Sequence, residues 1–222
     1  MDLGANIGVY TKVLSDLVGP TGTVISVEPV PQTFDVLSRN IRSLGIGNVS
    51  CVNVAISDAA GDVVMELPNY GTGGINFYQA TVVDPAEKKV VDSMPHVRVP
   101  ALTLDMLVAG KGTVGFVKCD VEGHELACLF GAKMVLNSHG PAWLVEVLGD
   151  PDEPATRAMQ TFSIFEDLSY VSWWFDGQRL VKRRPGDRSI NYFFLKESHI
   201  AKLRDGAPQF FGEARTEPRV AT

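Results

Sequence analysis

Hydrophobic positions along this chain alternate between helical and strand spacing. After a glycine-bearing turn at the start, Tyr10, Val13, Leu14 and Leu17 recur at helical spacing until Gly19-Pro20 ends the run. Thr23-Val24-Ile25-Ser26-Val27 reads as a buried strand closing at Glu28-Pro29. A second helix follows Pro31, with Phe34, Leu37, Ile41 and Leu44 on one face and Gly45 at its end. Val49 to Ile56 is the next apolar strand. A β-α-β-α-β order with short connections predicts a parallel sheet with helices on its faces.

The middle breaks the rhythm. Val63 to Leu67 and His96 to Pro100 alternate around a loop with Gly71-Thr72-Gly73-Gly74, predicting an inserted hairpin or flap. Thr103-Leu104-Asp105 opens a short helix, and Gly115 to Cys119 is a strand ending at Asp120. A helix is expected from about His124 to Leu136, a strand from Ala142 to Val145 ending at Glu146, and a helix within Asp150 to Leu168. The end reads as antiparallel: Tyr170 to Phe175, an Asp176-Gly177 hairpin signal, a return through Val181, then Ile190 to Leu195. Trp173 and Trp174 are adjacent on a strand and so take opposite faces, one toward core and one toward a cleft or interface. The predicted fold is α/β, a mostly parallel sheet with antiparallel C-terminal strands. It forms one domain over residues 1–200, with a loosely ordered polar tail over 201–222 on which Phe210 and Phe211 are the docking candidates. Asp2 stands at the carboxyl end of the first strand with only Met1 before it. The expectation is a truncated central strand, from a start further upstream or a fragment rather than from another segment that fills the gap.

Composition narrows the function. With 222 residues, 45% apolar and a formal net charge of -6, the chain suits a packed domain and lacks the basic balance of a nucleic-acid binder. The run Lys182-Arg183-Arg184 reads as a solvated strand end. No stretch reaches the ~18 apolar residues of a spanning helix, and the opening residues are not expected to be a signal peptide. Cys51, Cys119 and Cys128 lack metal or disulfide spacing and read as buried thiols, which fits a cytoplasmic protein. The antiparallel edge leaves room for a homodimer.

The chemistry gathers at strand ends, where ligands sit in an open parallel sheet. Asp2, Glu28, Asn53 with Ser57, Asp120 and Glu146 all fall there. The first turn, Asp2-Leu3-Gly4-Ala5-Asn6-Ile7-Gly8, has Asn6 where a dinucleotide site needs glycine for its pyrophosphate. Glu28 lies about 20 residues beyond Gly8, the place of an acid that bonds a ribose. Adenosine without a diphosphate describes S-adenosylmethionine.

The motifs Asp2 to Gly8, Glu28-Pro29, Thr103-Leu104-Asp105 and Lys118-Cys119-Asp120-Val121-Glu122-Gly123-His124-Glu125 resemble, in order and spacing, those of the FkbM family of methyltransferases. The resemblance runs from Met1 to about Lys196. It implies a class I, Rossmann-like fold that uses S-adenosylmethionine and O-methylates a hydroxyl of a sugar or a polyketide-type natural product. By matching position, Asp2, Gly4, Ala5, Asn6 and Gly8 would shape the methionine side of the pocket. Glu28 with Pro29 would hold the ribose, and Ala55 and Ile56 would flank the adenine. Asp120 would face the methionine amino group or the acceptor. Asp120, Glu122 and His124 are the candidates for the base that takes the acceptor's proton. Glu122 and Glu125 equally suit a helix N-terminus, and Lys118 suits a carboxylate pair. No metal is expected, although Asp120 and Glu146 end neighbouring predicted strands. Two other readings stay open: a non-catalytic S-adenosylmethionine binder, and a nicotinamide-dependent oxidoreductase, which Asn6 opposes.

Overall fold

A computed structural model describes residues 1–69, 73–83 and 94–211. The chain divides into two compact units, one of Met1–Gly110 with Asp120–Ala132, the other of Lys111–Cys119 with Lys133–Thr222.

The first unit opens with a two-residue strand β1 (Asp2–Leu3), helix α1 (Val9–Val18), β2 (Val24–Val27), α2 (Pro31–Ser43) and β3 (Val49–Val52). These strands pair in parallel, Asp2 opposite Ser26 and Val24 opposite Val49, as the alternation predicts. Helix α2 begins with proline at its first turn, where a missing N–H costs nothing. It buries Leu37 and Ile41 against Ala5.

The expected strand Val49–Ile56 splits in two. Asn53 leaves the ladder and donates its side-chain amide to the carbonyls of Glu28 (2.8 Å) and Pro29 (2.9 Å). The chain then starts a second sheet with β4 (Ala55–Ile56), followed by β5 (Gly61–Glu66), β6 (Thr81–Val82) and β7 (His96–Leu102), in the order β4-β7-β5-β6. This is the expected inserted hairpin, β5 running antiparallel to β7 from Gly61 opposite Ala101 to Glu66 opposite His96. Its core is Val30, Ala55, Met65, Leu67, Ala80, Val99 and Ala101. Of the glycine loop, Gly71 and Thr72 lie outside the described residues, and Gly73 and Gly74 are exposed with positive φ. Helices α3 (Leu104–Val108) and α4 (Glu125–Phe130) complete the unit.

In α1 the buried positions are not the apolar ones: Val9 is 66%, Val13 49% and Leu17 76% exposed and Leu14 half-buried, while Thr11 and Ser15 are buried. The inner face is polar because it serves as a latch. The Thr11 hydroxyl donates to Asp2 Oδ2 (2.6 Å) and lies 2.9 Å from the Ser26 hydroxyl. Ser15 donates to Asn48 Oδ1 (2.6 Å), and Asn48 returns hydrogen bonds to the carbonyls of Ser15 and Gly19.

The second unit holds β8 (Phe116–Cys119), β9 (Ala142–Glu146), α5 (Arg157–Asp167), β10 (Val171–Phe175), β11 (Leu180–Lys182), β12 (Asn191–Leu195) and α6 (Glu197–Gly206). β8 and β9 are parallel, and β12, β10 and β11 add antiparallel strands beyond β9. The helix expected over His124–Leu136 is broken: α4 stops before Gly131, and a separate π-helical turn covers Val135–His139. Phe162 and Phe165 of α5 pack on Trp143, Tyr170, Tyr192 and Phe194, with Phe165 stacked on Phe194 at 3.9 Å.

Three further expectations change here. Trp173 and Trp174 are both buried, so neither lines a cleft. The basic run is not simply solvated, since the Arg183 guanidinium pairs with Asp152 (2.6 Å) and lies 5.1 Å over the Phe162 ring. Regular structure also continues past Ala201 through α6, whose Ile200 packs with Trp173 and Leu195. Phe211 docks edge-on to Trp173 at 5.5 Å, Phe210 stays exposed, and residues 212–222 lie outside the described residues. Periodicity registers a polar outer face as a tail, while the inward Ile200 and the Arg204–Phe211 contact attach that helix.

Candidate active site

All the residues singled out for cofactor and catalysis except Glu146 belong to the first unit; Glu146 closes β9 in the second. The site is built around the turn between β1 and α1. Gly4 and Ala5 both donate their N–H to the Val27 carbonyl, at 3.0 and 2.9 Å, tying the turn to the end of β2. Asn40 of α2 donates to the Ile7 carbonyl (2.8 Å) from the other side. Gly4 has φ +71°, and a Cβ there would stand 1.8 Å from the Asp120 carbonyl oxygen. Only glycine allows this approach, which brings Asp120 beside the turn. The Asp120 N–H in addition donates to Leu3 O (3.2 Å).

Asn6, at the position where a dinucleotide turn has glycine, adopts φ +51°. Asparagine tolerates the left-handed region better than other side chains. Its Oδ1 accepts from the Ile7 N–H (2.8 Å), so the Nδ2 amine is the half of the amide with donors to offer a ligand. The Asn6 N–H donates to Glu28 Oε2 (3.0 Å), and the Val30 N–H donates to Glu28 Oε1 (3.0 Å). The buried Glu28 carboxylate is thus aimed by two backbone donors and joined directly to the glycine turn. Asn53 holds the Glu28-Pro29 backbone from behind. Asp2 lies deeper, fully buried, with its Oδ2 held by Thr11, and supports the turn from below. Gly8 caps α1 with φ +98°. Ala55 and Ile56 form β4 and are buried, Ala55 within the second sheet's core.

The loop after β8 carries the base candidates. Glu122 has φ +55° and Gly123 φ +90°, two consecutive left-handed residues that turn the chain sharply. Strained backbone of this kind is concentrated at functional sites. Glu125 Oε1 accepts from the N–H groups of Val121 (3.0 Å) and Gly123 (3.1 Å) and so braces the loop. Burial pushes the Glu125 carboxyl upward, against the hydrogen bonds from Val121 and Gly123, and the nearby Asp120 charge adds to the rise. Glu125 is therefore an anchor of the loop. His124 Nε2 lies 3.0 Å from the Ser57 hydroxyl, which donates to Asp58 Oδ1 at 3.0 Å. Sequence placed Ser57 at a strand end. Its meeting with a histidine 67 residues away has no local signal.

These motifs match a known family. A family model for the methyltransferase FkbM domain covers residues 2–172. The chain belongs to the FkbM methyltransferase family. Over 140 residues it is 29% identical to the hexuronic acid methyltransferase AglP of Haloferax volcanii, covering 62% of this chain and 51% of that protein. Over 49 residues it is 35% identical to protein-L-isoaspartate O-methyltransferase 1 of Archaeoglobus fulgidus, covering 22% of this chain and 23% of that protein. The chain thus spans about half the length of the first relative and about a quarter of the second. A crystal structure of methyltransferase FkbM from Methylobacillus flagellatus KT superposes with a TM-score of 0.54 at 16% identity, covering 87% of this chain and 42% of that one. That likeness shows the Rossmann-like α/β fold of these S-adenosylmethionine-dependent methyltransferases. Among the described residues, no helix is long and apolar enough to cross a membrane.

Proposed function

We propose that this FkbM-family methyltransferase O-methylates a hydroxyl of a sugar or a polyketide-type natural product. The observation that carries the cofactor half is the Glu28 carboxylate held by the Asn6 and Val30 N–H groups, which joins a ribose acid to the glycine turn. This donor set fits S-adenosylmethionine better than a dinucleotide. A carboxylate is an acceptor suited to a ribose's two hydroxyls, and the Asn6 side chain takes the room a pyrophosphate needs. Glu28 and the turn from Gly4 to Gly8 hold the cofactor, with Asn6 Nδ2 as a donor to it. When bound, S-adenosylmethionine supplies a methyl group made electrophilic by its sulfonium.

The residues then have two tasks. One is to hold the acceptor oxygen in line with the methyl carbon, which accounts for most of the rate in a displacement of this kind. The other is to take the hydroxyl proton, for which His124 is the favoured base among Asp120, Glu122 and His124. The sugar class is supported by the similarity to AglP, whose name gives a hexuronic acid as its acceptor. Cys51, Cys119 and Cys128, none of them in a disulfide, suit a reducing cytoplasm.

Thermal-shift titration tests the cofactor. S-adenosylhomocysteine should raise the Tm with concentration, by linkage, and NADH should not. Absence of any rise with S-adenosylhomocysteine would sink the assignment. Methyl transfer from labelled S-adenosylmethionine to hexuronic acid glycosides, with the label mapped to oxygen by mass spectrometry, tests the acceptor class.

A further inference from the structure

The ladder between β2 and β3 ends at an asparagine. Val27 lies opposite Val52, and the Glu28 N–H still donates to the Val52 carbonyl at 3.1 Å. Continued in the same register, a parallel ladder would bring the Val54 N–H to the Glu28 carbonyl and the Val30 N–H to the Val54 carbonyl. Different bonds form. Asn53 Nδ2 donates to the Glu28 carbonyl at 2.8 Å and to the Pro29 carbonyl at 2.9 Å. The Val30 N–H turns instead to Glu28 Oε1 at 3.0 Å. Both partners of the Asn53 amide are carbonyl oxygens, which only accept, so its NH2 half is the half that faces them.

The side chain of Asn53 thus ends the ladder while keeping hold of the strand that leaves it. This is what lets the Val30 N–H reach the Glu28 carboxylate, whose other oxygen takes the Asn6 N–H at 3.0 Å. Val30 is fixed from its far side as well, 1% exposed in the core of the second sheet together with Ala55. The segment from Glu28 to Val30 is therefore pinned along its main chain by Asn53 and at its end by packing. We propose that Asn53 is a positioning residue for the cofactor, which fixes where the Glu28 carboxylate meets the ribose hydroxyls and so sets the affinity for S-adenosylmethionine. The proposal rests on the assignment of Glu28 as the ribose acid.

The place demands two donors on one short, planar side chain. Serine has one O–H and serves one carbonyl at a time, alanine serves neither, and aspartate sets a charge against both. Asn53→Ser, Asn53→Ala and Asn53→Asp should lose cofactor affinity in that rising order.

Calorimetric titration of the full chain with S-adenosylhomocysteine measures this without turnover. Asn53→Ala should weaken binding by about tenfold and Asn53→Ser by about threefold, in line with the modest net worth of neutral hydrogen bonds. Glu28→Ala, which removes a charged acceptor, should weaken it by about a hundredfold. In the Glu28→Ala background, Asn53→Ala should cost less than about twofold more, because a residue that acts through Glu28 has nothing left to position. With S-adenosylmethionine and a hexuronic acid glycoside, Asn53→Ala should raise the KM for S-adenosylmethionine by about tenfold and change kcat by less than about twofold. Wild-type affinity in Asn53→Ser and Asn53→Ala overturns the positioning role. A loss of the same size with and without Glu28 also overturns it, since Asn53 would then serve the fold alone. Should Asn53→Ala not fold, the loss in Asn53→Ser and its disappearance beside Glu28→Ala decide the matter in the same way. Unchanged affinity in Glu28→Ala overturns instead the assignment of Glu28 as the ribose acid.

Discussion

Helix α1 turns Thr11 and Ser15 inward and leaves Val9, Val13 and Leu17 in water, whereas α5 turns Phe162 and Phe165 inward onto Trp143, Tyr192 and Phe194. The two helices stand for two ways of holding a region together. Around α1, short directional bonds and one close backbone contact fix a turn that must present Asn6 and Glu28 at set positions. Around α5, large rings fill space, and polar contacts such as Ser189 N–H to the Tyr192 hydroxyl lie at their edge. Hydrogen bonds each add little net stability but are costly to break when buried, while buried aromatic area contributes much and tolerates small shifts. The first arrangement suits geometry, the second suits stability.

Substitutions can break that contrast at its strongest point first. Gly4→Ala would drive a methyl group into the Asp120 carbonyl at a left-handed position, and a loss of about 5 kcal/mol or failure to fold is expected. Urea denaturation checks it, and a loss below about 2 kcal/mol would mean that the turn relaxes freely. In the aromatic region, Phe165→Ala removes a completely buried ring stacked on Phe194. It should cost about 4 kcal/mol in the same measurement.

A smaller effect is set by acid. Burial would raise the Asp152 carboxyl, but hydrogen bonds from Arg183, the Gly186 N–H and Arg188 outweigh it and bring the pKa down from 3.8 to about 2. A depressed carboxylate pKa stabilises the fold above the unfolded value, and that contribution is lost as pH falls through the folded one. Wild type should therefore exceed Asp152→Asn by about 1 kcal/mol at pH 5, after discounting for partial exposure. The gap should shrink between pH 4 and pH 2, as read from denaturant midpoints. Least of all, Leu17→Lys on the outer face of α1 should change stability by less than about 0.5 kcal/mol. A cost near that of Phe165→Ala would show that the outer face is packed after all.

The same contrast explains what could be read in advance. In the aromatic region, the alternation of Val171 to Phe175 and of Asn191 to Leu195 marks strands with the expected hairpin at Asp176-Gly177. Apolar side chains there do what apolar side chains ordinarily do, so periodicity is a sound guide. At α1 periodicity names the helix but does not give its buried face, because Thr11 and Ser15 face inward to bind Asp2 and Asn48. The candidate site was legible as motifs: the turn from Asp2 to Gly8, Glu28 with Pro29, and the loop from Asp120 to Glu125 all converge within one unit. The roles inside it were less so. Glu125, read as suiting a helix N-terminus, opens α4 and in addition braces the loop, and Arg183, taken for a solvated charge, proves to be an ion-paired side chain beside Phe162.

Sequence alone determined the α/β rhythm, the parallel first strands, the inserted hairpin and the glycine-bearing first turn with its asparagine. Each of these depends on local spacing, which hydrophobic period and backbone preference carry within a few residues. The tertiary structure decided which partners those residues take. Gly4 is required by the carbonyl of Asp120, Glu28 is aimed by the N–H of Asn6, and His124 meets Ser57. Such contacts join residues far apart in the chain, and a hydrogen bond depends on distance and direction in space, neither of which is written in the order of the residues.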